Sequence, residues 1–296
     1  MIDSNTKFTA TILTVSILAA CGGGNSGTTS SQNTTTGTTG TTEKSYNSFV
    51  KSDSTFEVTG FEVNTDYEDG TTKLIEVNET GVANVQAKTI TFTNEYGDIS
   101  FITIGATGTD TINGNKVTYF AANDKYEYVN GLSIAYEAST QSGLIAYGVE
   151  TKTADLPTTG SATYTGDAEA YVVFNKDPGN DYHSLENGKS NVAVDFGKGT
   201  VDATLNGFTV SGVNPENHNY EIELTDMKIE GNGFGGGEFV ITDNGTDLDL
   251  GQNPTGKSWG HFYGYDNDKN IPDEVRGIFA VSGANGTSVQ AGFIAD

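Results

Sequence analysis

Between Ser161 and Phe174 the chain alternates with a period of two. Ala162, Tyr164, Gly166, Ala168, Ala170, Val172 and Phe174 fall on one face, and Thr163, Thr165, Asp167 and Glu169 on the other. That period belongs to a pleated strand with one buried and one wetted face. It returns in Val192/Val194/Phe196, Val201/Ala203/Leu205 and Ile222/Leu224. No long stretch carries the 3.6-residue period of an amphipathic helix, and Gly, Asn and Asp cut the apolar runs short. The fold class that follows is all-β.

Residues 45–155 offer seven candidate strands: Thr55–Asn64, Lys73–Val77, Thr89–Asn94, Ile99–Ile104, Lys116–Ala121, Tyr126–Glu137 and Gly143–Thr151. Asn113-Gly114-Asn115 is a strong hairpin signal between two of them. A Pro-containing break over 153–160 reads as a domain boundary. Beyond it eight strands are expected, at 161–174, 190–197, 200–208, 220–231, 233–243, 258–265, 274–282 and 287–296. Eight strands in sequence suit an antiparallel up-and-down barrel filled by its own side chains. A membrane-embedded barrel would turn Asp167, Glu169, Asp202, Glu221 and Glu223 to lipid or crowd them into a narrow lumen, so a soluble barrel is expected. The glycines at 233 and 235–237 suit the bends a small barrel needs.

The first twenty residues read as a secretory signal: Lys7, then an apolar stretch from Phe8 to Leu18 that is too short to span a bilayer. Residues 22–42 are almost entirely Gly, Ser, Thr, Asn and Gln, the composition of a flexible spacer. The formal net charge is −24. Such a chain does not bind nucleic acid through phosphates and is repelled by anionic lipid; basic partners are electrostatically favoured, and an acidic surface that simply keeps an exposed protein soluble is the plainer reading. Cys21 is the only cysteine, so no disulfide is available. No Gly-x-Ser-x-Gly, His-Glu-x-x-His or catalytic cysteine pattern is present, and a binding protein rather than an enzyme is expected.

In an up-and-down barrel alternate connections share one end. Here those at 175–189, 209–219 and 244–257 are long, whereas Lys198-Gly199 and Asn232 make tight turns at the other end. Long loops on a rigid scaffold are where binding residues concentrate. Tyr182, His183 and His218 fall in these loops, and His261 is expected near the same rim. Imidazole and phenol both ligate haem iron, so a haem site is one expectation and three solvated histidines the plainer one. Asp243/Asp247/Asp249 and Asp266/Asn267/Asp268 raise calcium, solvated turns being the default. Trp259, His261, Tyr263 and Tyr265 alternate along one strand face and read as core or outer cover rather than a binding stripe.

Several segments resemble those of known families. Leu18-Ala19-Ala20-Cys21-Gly22 resembles the lipobox of bacterial lipoproteins, which implies cleavage before Cys21, lipid on its thiol and no inner-membrane retention signal at Gly22. The run Ala154-Asp155-Leu156-Pro157-Thr158-Thr159-Gly160 to Gly166 is similar to the opening of the barrel domain of transferrin-binding protein B-like surface lipoproteins. Val194-Asp195-Phe196-Gly197-Lys198-Gly199-Thr200-Val201 resembles that family's second and third strands, and Phe262-Tyr263-Gly264 with Glu274-Val275-Arg276-Gly277-Ile278-Phe279 its closing strands. The resemblance implies a signal peptide (1–20), a lipidated cysteine and linker (21–44), a β-rich handle domain (45–155) and a barrel domain (156–296). The large transferrin receptors of the family carry two such lobes, and one is expected here. It further implies an outer-membrane surface lipoprotein that binds a solute or host protein in iron or haem acquisition. An outer-membrane transporter and a lipoprotein translocator are the implied partners, and the lipid is the sole membrane contact. Adhesion or immune evasion through a macromolecular partner is the alternative.

Overall fold

The computed structural model describes residues 43–49, 51, 55–66, 77–84, 86, 89–94, 97–102, 107–112, 115–121, 125–136, 141–176, 179–212 and 214–296. Among these the only helical element is a 3-10 turn at Thr153–Asp155; all other regular structure is strand.

Eight strands precede that turn: β1 (Thr55–Asp66), β2 (Val77–Asn84), β3 (Thr89–Asn94), β4 (Gly97–Ile102), β5 (Thr107–Ile112), β6 (Asn115–Ala121), β7 (Val129–Tyr136) and β8 (Gln141–Gly148). They form one antiparallel sheet in the order β4-β3-β2-β1-β8-β7-β6-β5. Two four-strand meanders are thus joined where β1 pairs with β8, from Thr59↔Gly148 to Asp66↔Gln141. Ile112 pairs with Asn115 across the expected Asn-Gly hairpin. Two strands differ from the sequence reading. The second strand runs from Val77 to Asn84 rather than ending at Val77, residues 73–76 lying outside the described residues. Thr107–Ile112 is an additional strand, whose mostly polar sequence shows no apolar alternation.

After the turn come β9 (Ser161–Lys176), β10 (Gly179–Asp195), β11 (Thr200–Asn206), β12 (Thr209–Gly212), β13 (Tyr220–Glu230), β14 (Gly233–Gly235), β15 (Glu238–Asp243), β16 (Thr246–Asp247), β17 (Thr255–Tyr263), β18 (Glu274–Ser282) and β19 (Ser288–Ala295). The order β11-β10-β9-β19-β18-β17-β14-β13 closes on itself through β11–β13 pairing, giving an eight-stranded antiparallel barrel. The expected fifth strand is two pieces on one track, both paired with β13. Between them Gly236 and Gly237 take φ values of 72° and 79°, a region open to glycine at little cost. The inward positions of β9, β10, β11 and β13 fill the interior with Tyr164, Ala170, Val172, Val192, Val201, Leu205, Ile222 and Leu224. Phe234, Phe262 and Phe293 pack on them, Phe234 with ring centroids 5.3 Å and 6.4 Å from the other two.

Most strands of the barrel bury one face. β18 and β19 bury both, from Glu274 through Val281 and from Ser288 through Ala295. The outward residues of β18 lie beneath the first sheet: Ile278 and Ala280 cluster with Ala146 of β8, and Trp259 packs against them. Tyr263 and Ile294 cluster with Tyr126, Tyr128 and Val129. Arg276, the only arginine in the chain, is 4 % exposed there. Glu274, 3 % exposed, accepts the backbone N–H groups of Glu127, Tyr128 (2.8 Å) and Val129 (2.8 Å), the turn that leads into β7.

Burial of Glu274 outweighs these three hydrogen bonds, and its carboxyl is pushed up to about 7 from an ordinary 4.5. The folded protein therefore holds this proton more tightly than the unfolded chain. The stabilisation is complete below about pH 4.5 and is lost as pH rises through about 7. The parent is expected to lead Glu274→Gln by about 3 kcal/mol more at pH 5 than at pH 8 in urea unfolding, the size of a shift of this order. A gap that does not change with pH would contradict this.

Candidate ligand-binding rim

Two ends of the barrel differ. At the base, the turn over 196–199 joins β10 to β11, and the loop over 264–273 joins β17 to β18. At the rim, β9 and β10 continue past their neighbours. β19 follows β9 only to Ser288↔Val173, and β10 there pairs with β12 from His183↔Gly212 to Glu186↔Thr209. The segment read from sequence as a long loop over 175–189 is thus mostly hairpin, and part of the loop over 209–219 is its third strand. The apolar alternation that marks the rest of the barrel is absent between Gly179 and Gly188, which is why the extension looked like loop.

This three-stranded flap joins the barrel through an irregularity. The β9–β10 register shifts between Leu185 and Gly188, and Asn187 takes a φ of 55°. A Cβ at Gly188 would collide with the ring of Phe208, so glycine is what lets Phe208 lie over the bend.

Alternation along β10 turns Tyr182 outward and His183 inward. Tyr182 is 49 % exposed and His183 is 4 % exposed. The His183 ring meets Phe174 at 5.1 Å between centroids and His218 at 4.4 Å. Its Nδ1 shares a 2.7 Å hydrogen bond with the buried Tyr220 hydroxyl. His218 Nδ1 lies 2.6 Å from Asp243 Oδ2, and the Asn219 N–H donates to Asp243 Oδ1 at 3.0 Å. The Tyr220 phenol is pushed up, by burial first and by the Asp243 charge second, so it stays protonated and available as a donor. The cluster pins the flap and the segment before β13 to the barrel mouth, and presents Tyr182 on a rigid support.

His183 and His218 come together, with Tyr182 beside them. His261 does not join them: it lies on the outer face of β17 near the base, its Nδ1 3.2 Å from Glu150 Oε1. The expectation that it sits near the rim fails because β17 runs from rim to base, ending at Tyr263, which bridges to Glu150. Trp259, Tyr263 and Tyr265 share that outer face, Tyr265 stacking on Tyr46. Cys21 lies outside the described residues. Of the acidic groups raised for calcium, Asp266 Oδ1 accepts the N–H groups of Asp268 and Lys269, and Asp249 Oδ1 that of Gly251. Among the described residues no group of three or more His, Cys, Asp or Glu side chains is placed to hold a metal ion. Tyr220 was not singled out from sequence, and Asp243 was raised only as a calcium candidate rather than as the partner of His218. Tyr220 was open to it, as the first member of the inward series Tyr220/Ile222/Leu224.

Tyr220→Phe leaves the buried His183 Nδ1 without its hydroxyl partner, and a loss of about 1–2 kcal/mol is expected from the shift in urea midpoint. A midpoint unchanged from the parent would show that the bond does not hold the flap.

Residues 156–296 match the family described as the C-lobe and N-lobe beta barrels of Tf-binding protein B. A variant of transferrin-binding protein B from Haemophilus parasuis Hp5 aligns with a TM-score of 0.54 and 23 % identity, covering 80 % of this chain and 44 % of that one. Intact Ap-TbpB, with its N and C lobes, aligns at 0.53 and 23 % identity, covering 80 % and 46 %. The isotype 1 protein from serogroup B Neisseria meningitidis aligns at 0.51 and 19 % identity, covering 81 % and 43 %. These likenesses establish the fold, and the chain spans less than half the length of each of the three. No curated protein sequence matches the chain.

Proposed function

We propose that this chain is a transferrin-binding protein B-like protein, lipid-anchored at the outer-membrane surface. It captures a host iron-carrier protein through the rim of its barrel. The observation that carries this reading is the match of the whole barrel, 156–296, to the barrels of a protein named for binding transferrin. The H. parasuis relative is called a vaccine antigen, which fits a protein reachable from outside the cell. Cys21, behind Leu18-Ala19-Ala20, is the lipid site on this reading, and Gly22 leaves the protein free to leave the inner membrane.

The rim supports the same reading. Tyr182 is one of three large hydrophobic side chains exposed among the described residues, and it stands on a flap stiffened from beneath by His183, His218 and Tyr220. An exposed aromatic on a rigid support loses little entropy on binding, and such residues dominate interface energetics. The role is binding, and no chemistry on the ligand is assigned to any residue.

The test is surface-plasmon binding of iron-loaded transferrin to the immobilised full chain and to Tyr182→Ala. Saturable binding that weakens tenfold or more in the variant is expected. Binding indifferent to the substitution would remove the rim from the account, and no binding of the carrier would remove the carrier.

A further inference from the structure

The residues just ahead of the first sheet do not run free. From Glu43 to Ser48 exposure alternates: Glu43, Ser45 and Asn47 face solvent, and Lys44, Tyr46 and Ser48 face the protein. What they face is the base of the barrel. The Lys44 N–H donates to Asn267 Oδ1 at 2.8 Å, and Asn267 Nδ2 donates back to the Lys44 carbonyl at 2.8 Å. One side-chain amide thus satisfies both backbone groups of Lys44, as a neighbouring strand would. Lys44 Nζ donates to the Asp155 carbonyl at 3.1 Å and sits 3.8 Å above the Tyr265 ring. The Tyr46 hydroxyl donates to Asp155 Oδ2 at 2.6 Å, accepts the Lys152 N–H at 3.0 Å, and its ring stacks on Tyr265. Farther on, Phe49 is 5 % exposed, packs edge-on against Tyr147, and donates its N–H to the Glu127 carbonyl at 2.8 Å.

We propose that residues 43–49 are a strap that fixes the membrane tether to the base of the barrel, so that the anchored lobe stands base-inward with its Tyr182 rim away from the bilayer. This rests on the lipid-anchor reading above. The strap's contacts at Asn267, Tyr265 and Asp155 lie at the end where β17 passes into β18, opposite the flap. The geometry gives the contrast its size. β9, with 16 residues, spans about 50 Å at roughly 3.3 Å per residue. The rim therefore stands most of a strand's length beyond the strap, after allowance for strand tilt. Were the tether to leave from the first sheet alone, nothing would tie it to either end of the barrel.

The test uses the full-length lipidated protein in phosphatidylethanolamine/phosphatidylglycerol vesicles carrying a nitroxide on the lipid headgroup. With Cys21 lipidated, a fluorophore is placed through Lys198→Cys at the base or Tyr182→Cys at the rim, both exposed sites. Intact mass first shows whether lipid is attached; an unlipidated chain would remove the anchor reading, and the inference with it. On lipidated protein the base label is expected to be quenched at least threefold more than the rim label. In Asn267→Ala/Tyr46→Phe, which loosens the strap without touching the barrel interior, that ratio is expected to fall towards one. Equal quenching of base and rim in the parent, or a ratio unchanged in the double variant, would overturn the strap while leaving lipid anchoring intact.

Discussion

A buried carboxylate with three backbone amides around it fixes the relation of the two sheets. Glu274 is the first residue of β18, and the N–H groups of Glu127, Tyr128 and Val129 converge on it. Burying a carboxylate is costly unless its lone pairs are satisfied, and burying three amides in a turn is costly for the same reason. Each group offsets the other's cost only when the sheets are docked in this one arrangement. Purely apolar contacts such as those of Ala146 with Ile278 and Ala280 would tolerate sliding. The carboxylate makes the docking specific, and the rise of its pKa is the residual cost.

The rest of the lobe follows from that seam. Docking covers the outer face of β17 and β18 and leaves β11, β13 and β15 to water, which explains why acids such as Asp202, Glu223 and Glu238 sit on those strands. It also gives the barrel a polarity. Phe49, Tyr147, Tyr263 and the strap over 43–49 gather near the seam and the base, while the flap of β9, β10 and β12 projects at the far end. A polar, hydrogen-bonded cluster of His183, His218, Tyr220 and Asp243 is affordable at the rim because every member has a partner.

Much of this was legible in the sequence, and the gaps have physical causes. The all-β class, the eight barrel strands and the tight turns at Lys198-Gly199 and Asn232 follow from side-chain alternation, which reports burial of one face. β5 and the outer half of β10 escaped because they lack an apolar face of their own. The double burial of β18 is only partly visible, in Ile278–Val281, because Glu274 and Arg276 are charged, and the identity of what covers it is not visible, because partners distant in sequence leave no local trace. The pairing of His183 with His218 was suggested by their common end of the barrel. The position of His261 was misjudged because the direction of β17 places its last residues at the base beside Glu150. No pattern announced that Asn267, met first as part of an acidic turn, would hold Lys44 through both of its backbone groups.

The central claim is that the first sheet and the barrel are one cooperative body because of the Glu274 seam. Native-state hydrogen exchange tests it most directly. The amides of Glu127, Tyr128 and Val129 belong to a turn, and in an isolated turn they would exchange quickly. The account predicts that they exchange only through global unfolding, with the same opening free energy as the amides of β18 and β19. Rapid exchange of these three amides while β18 stays protected would show that the sheet separates from the barrel freely, and would contradict it.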